Sequence, residues 1–318
     1  MTETDTPQTS KLHPLLRVAG IALTAASLGY VLYELFRADW SALQGLSTGH
    51  VLLMSVAGSA VYCGLGLLLC LAWWHLLRRL SSQDSPVRAT IQVYAVTQIY
   101  KYLPTNVLHF MGRHAALRQA GHSHLVLASA LVLEALSLAV AAAIVALIFG
   151  ADALIEAGGR YVSAGSVLPL LVLGGVVFVV LCAAYYVLAR RQLVKLPDIR
   201  LSSVLSGLLW TSIAHIGFFV GCGLILVWLA HGLTDPGSTD SALLIAVAAT
   251  SWLLGFVVPG AAAGIGIREA VIILLLSQPM GSAAAIALAG LYRIVTVGGD
   301  ALLAIVGSLV RSKDDKRA

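Results

Sequence analysis

FVVPGAAAGIGIREA, residues 256–270, is apolar enough to enter a bilayer. Yet its Pro259, Gly260, Gly264 and Gly266 are the residues least able to sustain a regular helix. A break is expected here, with Arg268 and Glu269 directly after it. The apolar run that follows ends at Gln278 and Pro279, too short to cross about 30 Å of hydrocarbon. That is the pattern of a re-entrant hairpin. Irregular backbone at membrane depth is tolerated only where it is buried in protein or lines a wet cavity, so the segment is expected to line a site.

The pattern occurs once more. YLPTNVLHFMGRHA, residues 102–115, spaces Pro104, Arg113 and Ala115 as Pro259, Arg268 and Ala270 are spaced half a chain later. Each copy interrupts a hydrophobic segment at a corresponding place in its half, which is the sequence pointer to a transporter-like site between internal repeats.

The composition surrounding both copies is that of a membrane protein: 59% hydrophobic and 11% charged, with mean hydropathy +0.90. Six spanning helices are expected, over 15–36, 50–77, 125–149, 167–188, 203–229 and 283–310, with re-entrant hairpins at 88–112 and 242–277. Residues 1–14 and 311–318 are read as cytoplasmic tails. This layout puts fourteen basic residues on the inner side, among them Arg78, Arg79, Arg190, Arg191 and Lys313, against only Arg37 and Arg160 outside. Counting either hairpin as a full span would mix the basic loops between sides. An odd number of crossings per half makes the second repeat (166–310) run opposite to the first (15–150), an inverted 3+3 arrangement with both termini inside. The expected location is the plasma (inner) membrane, multi-pass. The charge pattern gives no reason to consider nucleic acid.

Ionisable groups within a bilayer are functional candidates by default. Here they are Arg113, Glu134, His215, Arg268, Glu269, Arg293 and Asp300, with Lys101 beside them. Arg293, Thr296 and Asp300 share one helical face, as do Glu134 and Ser137. The plain alternative is that these charges pair only to stabilise the bundle. Four basic against three acidic groups leave one positive charge in surplus, which suits an anionic headgroup. His109, His114, His122 and His124 cluster in sequence without metal-site spacing, and read as interfacial histidines. Cys63, Cys70, Cys182 and Cys222 read as packing residues, Gly217 and Gly221 as a close helix contact, and Trp40, Trp73 and Trp74 as a membrane-boundary belt. No nucleotide, nucleophile-elbow or zinc-protease motif occurs. No metal and no cofactor is expected.

VPGAAAGIGIREA resembles the P-G-G-x-G-x-R-E-A signature of the lysylphosphatidylglycerol synthase transmembrane-region family, flippase-like integral membrane proteins. YLPTNVLHFMGRHAALRQAGHS is similar to that family's earlier Y-L-P…G-R segment, and LYRIVTVGGDALLAIVG to its closing R-x-x-T-x-x-G-D pattern at Arg293, Thr296, Gly299 and Asp300. The resemblance implies lipid handling: translocation of a phospholipid, or of another anionic or aminoacylated lipid, without the soluble synthase domain. An integral-membrane lipid-modifying enzyme or glycosyltransferase using Glu134 or Glu269 as base is the alternative, and a non-catalytic partner of such an enzyme is a third. The expected partners are a membrane lipid, a second copy in a homodimer, and a separate lipid-modifying enzyme. Arg113, Arg268, Glu269, Arg293, Glu134, Asp300 and Lys101 are the expected headgroup site. Pro104, Pro259, Gly260, Gly264 and Gly266 are the expected breaks.

Overall fold

The structure is a computed structural model that describes residues 26, 28–39, 47–103, 107–159, 201–234, 239–258 and 262–309. Among these it is 90% helix with no strand. The helices are α1 (28–37), α2 (Thr48–Leu80), α3 (Val87–Gln98), α4 (Leu108–Gln119), α5 (His124–Gly159), α6 (Leu201–Leu233), α7 (Ser241–Val257), α8 (Ile267–Met280) and α9 (Ser282–Leu309). Four of them are long and apolar enough to cross a membrane: α2, α5 as far as Gly150, α6 from Ser202, and α9. These mark the chain as a membrane protein. They correspond to the spans expected over 50–77, 125–149, 203–229 and 283–310. The span expected over 167–188 lies outside the described residues, as do both tails and most of 15–36.

Local chemistry sets the ends of these elements. Ser47 Oγ accepts from His50 N at 3.2 Å at the start of α2, and Asp240 Oδ1 accepts from Ala242 N at 3.1 Å at the start of α7. Arg78 and Arg79 close the last turn of α2, where cations suit the helix dipole. Gly150 interrupts α5 with φ −149° and ψ 17°.

Residues 88–112 and 242–277 each form two short helices around a break. Helices of 12, 12, 17 and 14 residues are about 18–25 Å long, short of the roughly 30 Å hydrocarbon core. The second arm of the first pair runs on to Gln119, past the boundary expected at 112. Both arms of each pair pack on one another, and the two 3₁₀ turns at the breaks, Ile99–Tyr102 and Ala262–Gly264, touch.

The packing repeats between halves. Exchanging α2, α3, α4 and α5 with α6, α7, α8 and α9 maps α2–α3 onto α6–α7, α3–α9 onto α7–α5, α4–α5 onto α8–α9 and α2–α5 onto α6–α9, all of which are contacts in the fold. The equivalent helices α2 and α6 are antiparallel. Gly207 meets Arg79, Gly221 meets Leu65, and Gly232 meets Met54 and His50. Gly217 and Gly221 therefore serve as close-approach positions on α2. In contrast α9 lies parallel to α2, with Gly58 against Val295 and Gly66 against Leu303.

The two broken pairs approach α9 from opposite ends. Near its C-terminal end Gly307 lies against Ala95 of α3, and α3 then runs inward until Lys101 and Tyr102 reach Asp300. From the other end, α8 leads through Gly281 directly into α9, while the break preceding α8 reaches Arg293. Arg293 and Asp300 straddle the middle of α9, so both breaks sit about 14–17 Å in from its ends.

Candidate functional site

Among the described residues, three ion pairs and one arginine without a carboxylate partner make up the polar centre of the bundle. Asp300 Oδ2 accepts from Tyr102 Oη at 2.6 Å and lies 2.7 Å from Lys101 Nζ. This ties the first break to α9. Arg293 ties the second, donating through Nη1 and Nη2 to the Ala263 carbonyl at 3.3 Å each, with Nε 3.1 Å from Glu269 Oε1. Glu269 also accepts from Gly266 N at 2.7 Å, capping the start of α8. Thr296, on the same face of α9, turns its hydroxyl back to the Arg293 carbonyl.

Arg113 is held by a carboxylate and an aromatic cage. Its Nη1 donates to Glu134 Oε2 at 2.6 Å, and both side chains are 1% exposed. Nη2 reaches Gln98 Oε1 at 3.5 Å. The guanidinium lies 3.7 Å from the Tyr94 ring centroid, 4.7 Å from Trp73 and 5.9 Å from Phe110, a cation–π arrangement that strengthens when water is excluded. Trp73 is thus a core residue, 1% exposed, and not the membrane-boundary residue that its position suggested. Trp74 fits that reading better, donating to the Ser85 carbonyl at 2.8 Å beneath Arg78.

Arg268 is different. Among the described residues it has no carboxylate within 4 Å and makes no hydrogen bond; its Nε, like that of Arg113, is buried without a partner. It lies 5.6 Å from the Trp252 ring, which stacks in turn on Phe256. Its side chain passes between Gly255 and Gly264, where a Cβ on either glycine would fall within 3 Å of Arg268 atoms. The glycines after the break therefore do two jobs: Gly264 and Gly266 adopt φ of +70° and +81°, and Gly264 makes room for Arg268.

Arg113 and Arg268 line one cavity of about 50 Å³, together with Lys101, Asp300, Glu134, Gln98, Tyr62, His109 and Trp252. That space holds about three or four waters. Five of the expected headgroup residues thus line one cavity; Glu134 holds Arg113, whereas Glu269 holds Arg293 and leaves Arg268 without a carboxylate among the described residues. Glu269 and Arg293 border a smaller recess beside the cavity. Pro104, Pro259 and Gly260 lie outside the described residues. Sequence reasoning passed over Tyr62, Gln98 and Trp252, although Gln98, one turn before Lys101 on an apolar helix, carried a readable signal. His109 was taken for interfacial and is buried in the cavity wall.

Other polar groups join elements outside the cavity lining. His215 Nδ1 lies 3.0 Å from Ser137 Oγ, which lies 3.0 Å from Ser212 Oγ, joining α5 to α6. His122 Nδ1 lies 2.8 Å from Ser81 Oγ and joins two loops at one end of the bundle, where burial pushes its pKa below the ordinary histidine value. Cys63, Cys70 and Cys222 are buried and unpaired. No group of three or more metal-ligating side chains forms among the described residues. Compared with models of protein families and with curated proteins, the chain matches none.

Proposed function

We propose that this protein is a lipid translocase of the flippase-like kind, akin to the lysylphosphatidylglycerol synthase transmembrane-region proteins that its motifs resemble. On this reading α3–α4 and α7–α8 are re-entrant hairpins of an inverted repeat, and they bring a phospholipid headgroup between leaflets at the cavity. The observation that carries it is the meeting of two helix breaks, from opposite ends of an apolar bundle, around half-buried cations at the middle of α9. Discontinuous helices that meet at mid-depth are how transporters build substrate sites. The antiparallel packing of α2 on α6 supports the inversion. An apolar groove of about 430 Å³ along Leu254, Ile267, Val271 and Leu274, on the same hairpin as Arg268, has the lining an acyl chain needs. The cavity is smaller than a headgroup, so transport requires the two breaks to part.

The arrangement speaks against the enzyme reading. Its candidate bases Glu134 and Glu269, and Asp300 beside them, are each paired with a cation, which favours their ionised form and weakens them as bases. Purified protein in liposomes is expected to speed transbilayer exchange of an anionic phospholipid and to leave its chemical composition unchanged. Folded Arg268→Gln should lose most of that exchange and Arg268→Lys only part, because lysine keeps the charge and loses the planar fork. A new lipid species formed from a supplied donor, or wild-type exchange no faster than empty liposomes, would overturn the reading.

A further inference from the structure

Resting on that reading, we infer that the cavity selects its lipid by charge. It takes a phosphate-bearing headgroup of net charge −1 at Arg268, and rejects zwitterionic and aminoacylated headgroups.

The argument begins with the formal charges. Among the described residues, Lys101–Asp300, Arg113–Glu134 and Arg293–Glu269 are three neutral pairs, which leaves the Arg268 guanidinium as the surplus charge. A single anion neutralises the site. An uncompensated cation in a low-dielectric interior attracts an anion far more strongly than it would in water. A donor is in place as well, since Arg268 Nε, like that of Arg113, is buried and unpartnered while the side chain borders the cavity. Arg113 also has an unpartnered Nε at the cavity, but its charge is neutralised by Glu134 and its faces are held by the aromatic cage, whereas Arg268 has no carboxylate partner among the described residues. The two arginines are equivalent in sequence and unequal in role: Arg268 takes the ligand, and Arg113 fixes the wall.

Rejection of a cationic group follows from the same inventory. An ammonium needs a carboxylate or an open aromatic face. In the cavity lining Glu134 is 2.6 Å from Arg113, and Asp300 is shared by Lys101 and Tyr102. Of the lining rings, Tyr94 and Phe110 are engaged by Arg113 and Trp252 by Arg268, while Tyr62, Phe218 and Phe256 carry no cation among the described residues, so rejection rests on the surplus positive charge and the engaged carboxylates. A lipid bearing a lysyl or choline group would bring its positive charge among cations with no free counter-charge.

The test is equilibrium binding to detergent-purified protein at pH 7, where no leaflets are involved and the result is independent of transport. The probes are short-chain phosphatidylglycerol (net −1), phosphatidylcholine (net 0) and lysyl-phosphatidylglycerol (net +1), with inorganic phosphate and glycerol phosphate as competitors. Phosphatidylglycerol is expected to bind at least tenfold tighter than either of the others. That ratio should collapse towards one in Arg268→Gln, and persist at lower affinity in Arg268→Lys and in wild type with its aromatic anchor changed, Trp252→Phe. Competition by inorganic phosphate at equal affinity would make the occupant a free anion, and its absence a lipid; the charge rule stands in both cases. Equal binding of the three lipids by wild type, tightest binding of the lysyl lipid, or selectivity retained in folded Arg268→Gln overturns the proposal. Charge-blind binding combined with fast exchange in liposomes would sink this inference and leave the translocase reading intact.

Discussion

Ala263 is the non-glycine residue with positive φ among the described ones, at +48°, and it sits beside Gly264 at +70°. The left-handed region costs an L-residue about 1–2 kcal/mol, so the second break is held partly against local preference. The restraint comes from Arg293, whose two Nη donors grip the Ala263 carbonyl. Ala263→Gly should therefore raise the thermal midpoint, by the equivalent of about 1 kcal/mol, because it relieves the backbone and removes no bond. Gly264→Ala should do the reverse and by more. It combines a positive φ with a Cβ that would lie 2.8 Å from Arg268 Nε and 2.9 Å from Gly255 Cα, the latter a backbone atom of α7. Melting curves of the two variants in detergent check the pair, and equal effects of like sign would mean that the break is not strained. The sequence located this break through Pro259 and its glycines, but the residue that bears the strain is an alanine. Nothing in its identity could announce that, since the burden is imposed by the Arg293 contact from a helix thirty residues on.

At the scale of elements, α9 acts as the strut that fixes both breaks at once: Asp300 holds the first and Arg293 the second. The helices themselves were legible, because apolar length and the Pro/Gly interruptions are local properties. So was the polar face of α9, from the spacing of Arg293, Thr296 and Asp300. Partner choice was not legible. Glu269 adjoins Arg268 in sequence, yet successive residues on a helix point about 100° apart, and Glu269 turns to α9 while Arg268 turns to the cavity. The cage around Arg113 was hidden for a similar reason, as it draws Trp73 from α2 and Tyr94 from α3. The strut makes a graded prediction. Asp300→Asn leaves Lys101 buried beside a neutral group and should cost about 3–5 kcal/mol. Tyr102→Phe removes one donor from a carboxylate that Lys101 still neutralises, and should cost about 1–2 kcal/mol. Since both donors share Oδ2, the double variant should cost less than the sum. Additive losses in denaturant titrations would show that the two contacts are independent and that α9 does not act as one strut.

For the whole molecule, the decisive question is whether the two broken helix pairs turn back or go through. If α7 and α8 together crossed the membrane as one broken span, Ser241 and Gln278, at their two ends, would face opposite compartments. If they form a re-entrant hairpin, both face the same one. The same holds for Gln83, just before α3, and Gln119, at the end of α4. All four are exposed, so cysteines placed there are reachable without disturbing the core. The packing predicts the outcome. Gly307 near the C-terminal end of α9 lies against Ala95, and Gly281 at its N-terminal end joins α8, so the first pair belongs to one end of the bundle and the second to the other. The basic residues Arg78 and Arg79 close α2 beside Gln83, so by the positive-inside bias that end is expected in the cytoplasm. In intact cells carrying an otherwise cysteine-free protein, an impermeant maleimide should therefore label Ser241→Cys and Gln278→Cys. It should reach Gln83→Cys and Gln119→Cys only after the membrane is permeabilised. Labelling of Ser241→Cys without Gln278→Cys would make α7–α8 a crossing element, and with it the shared mid-depth site at Arg268 would lose its structural basis.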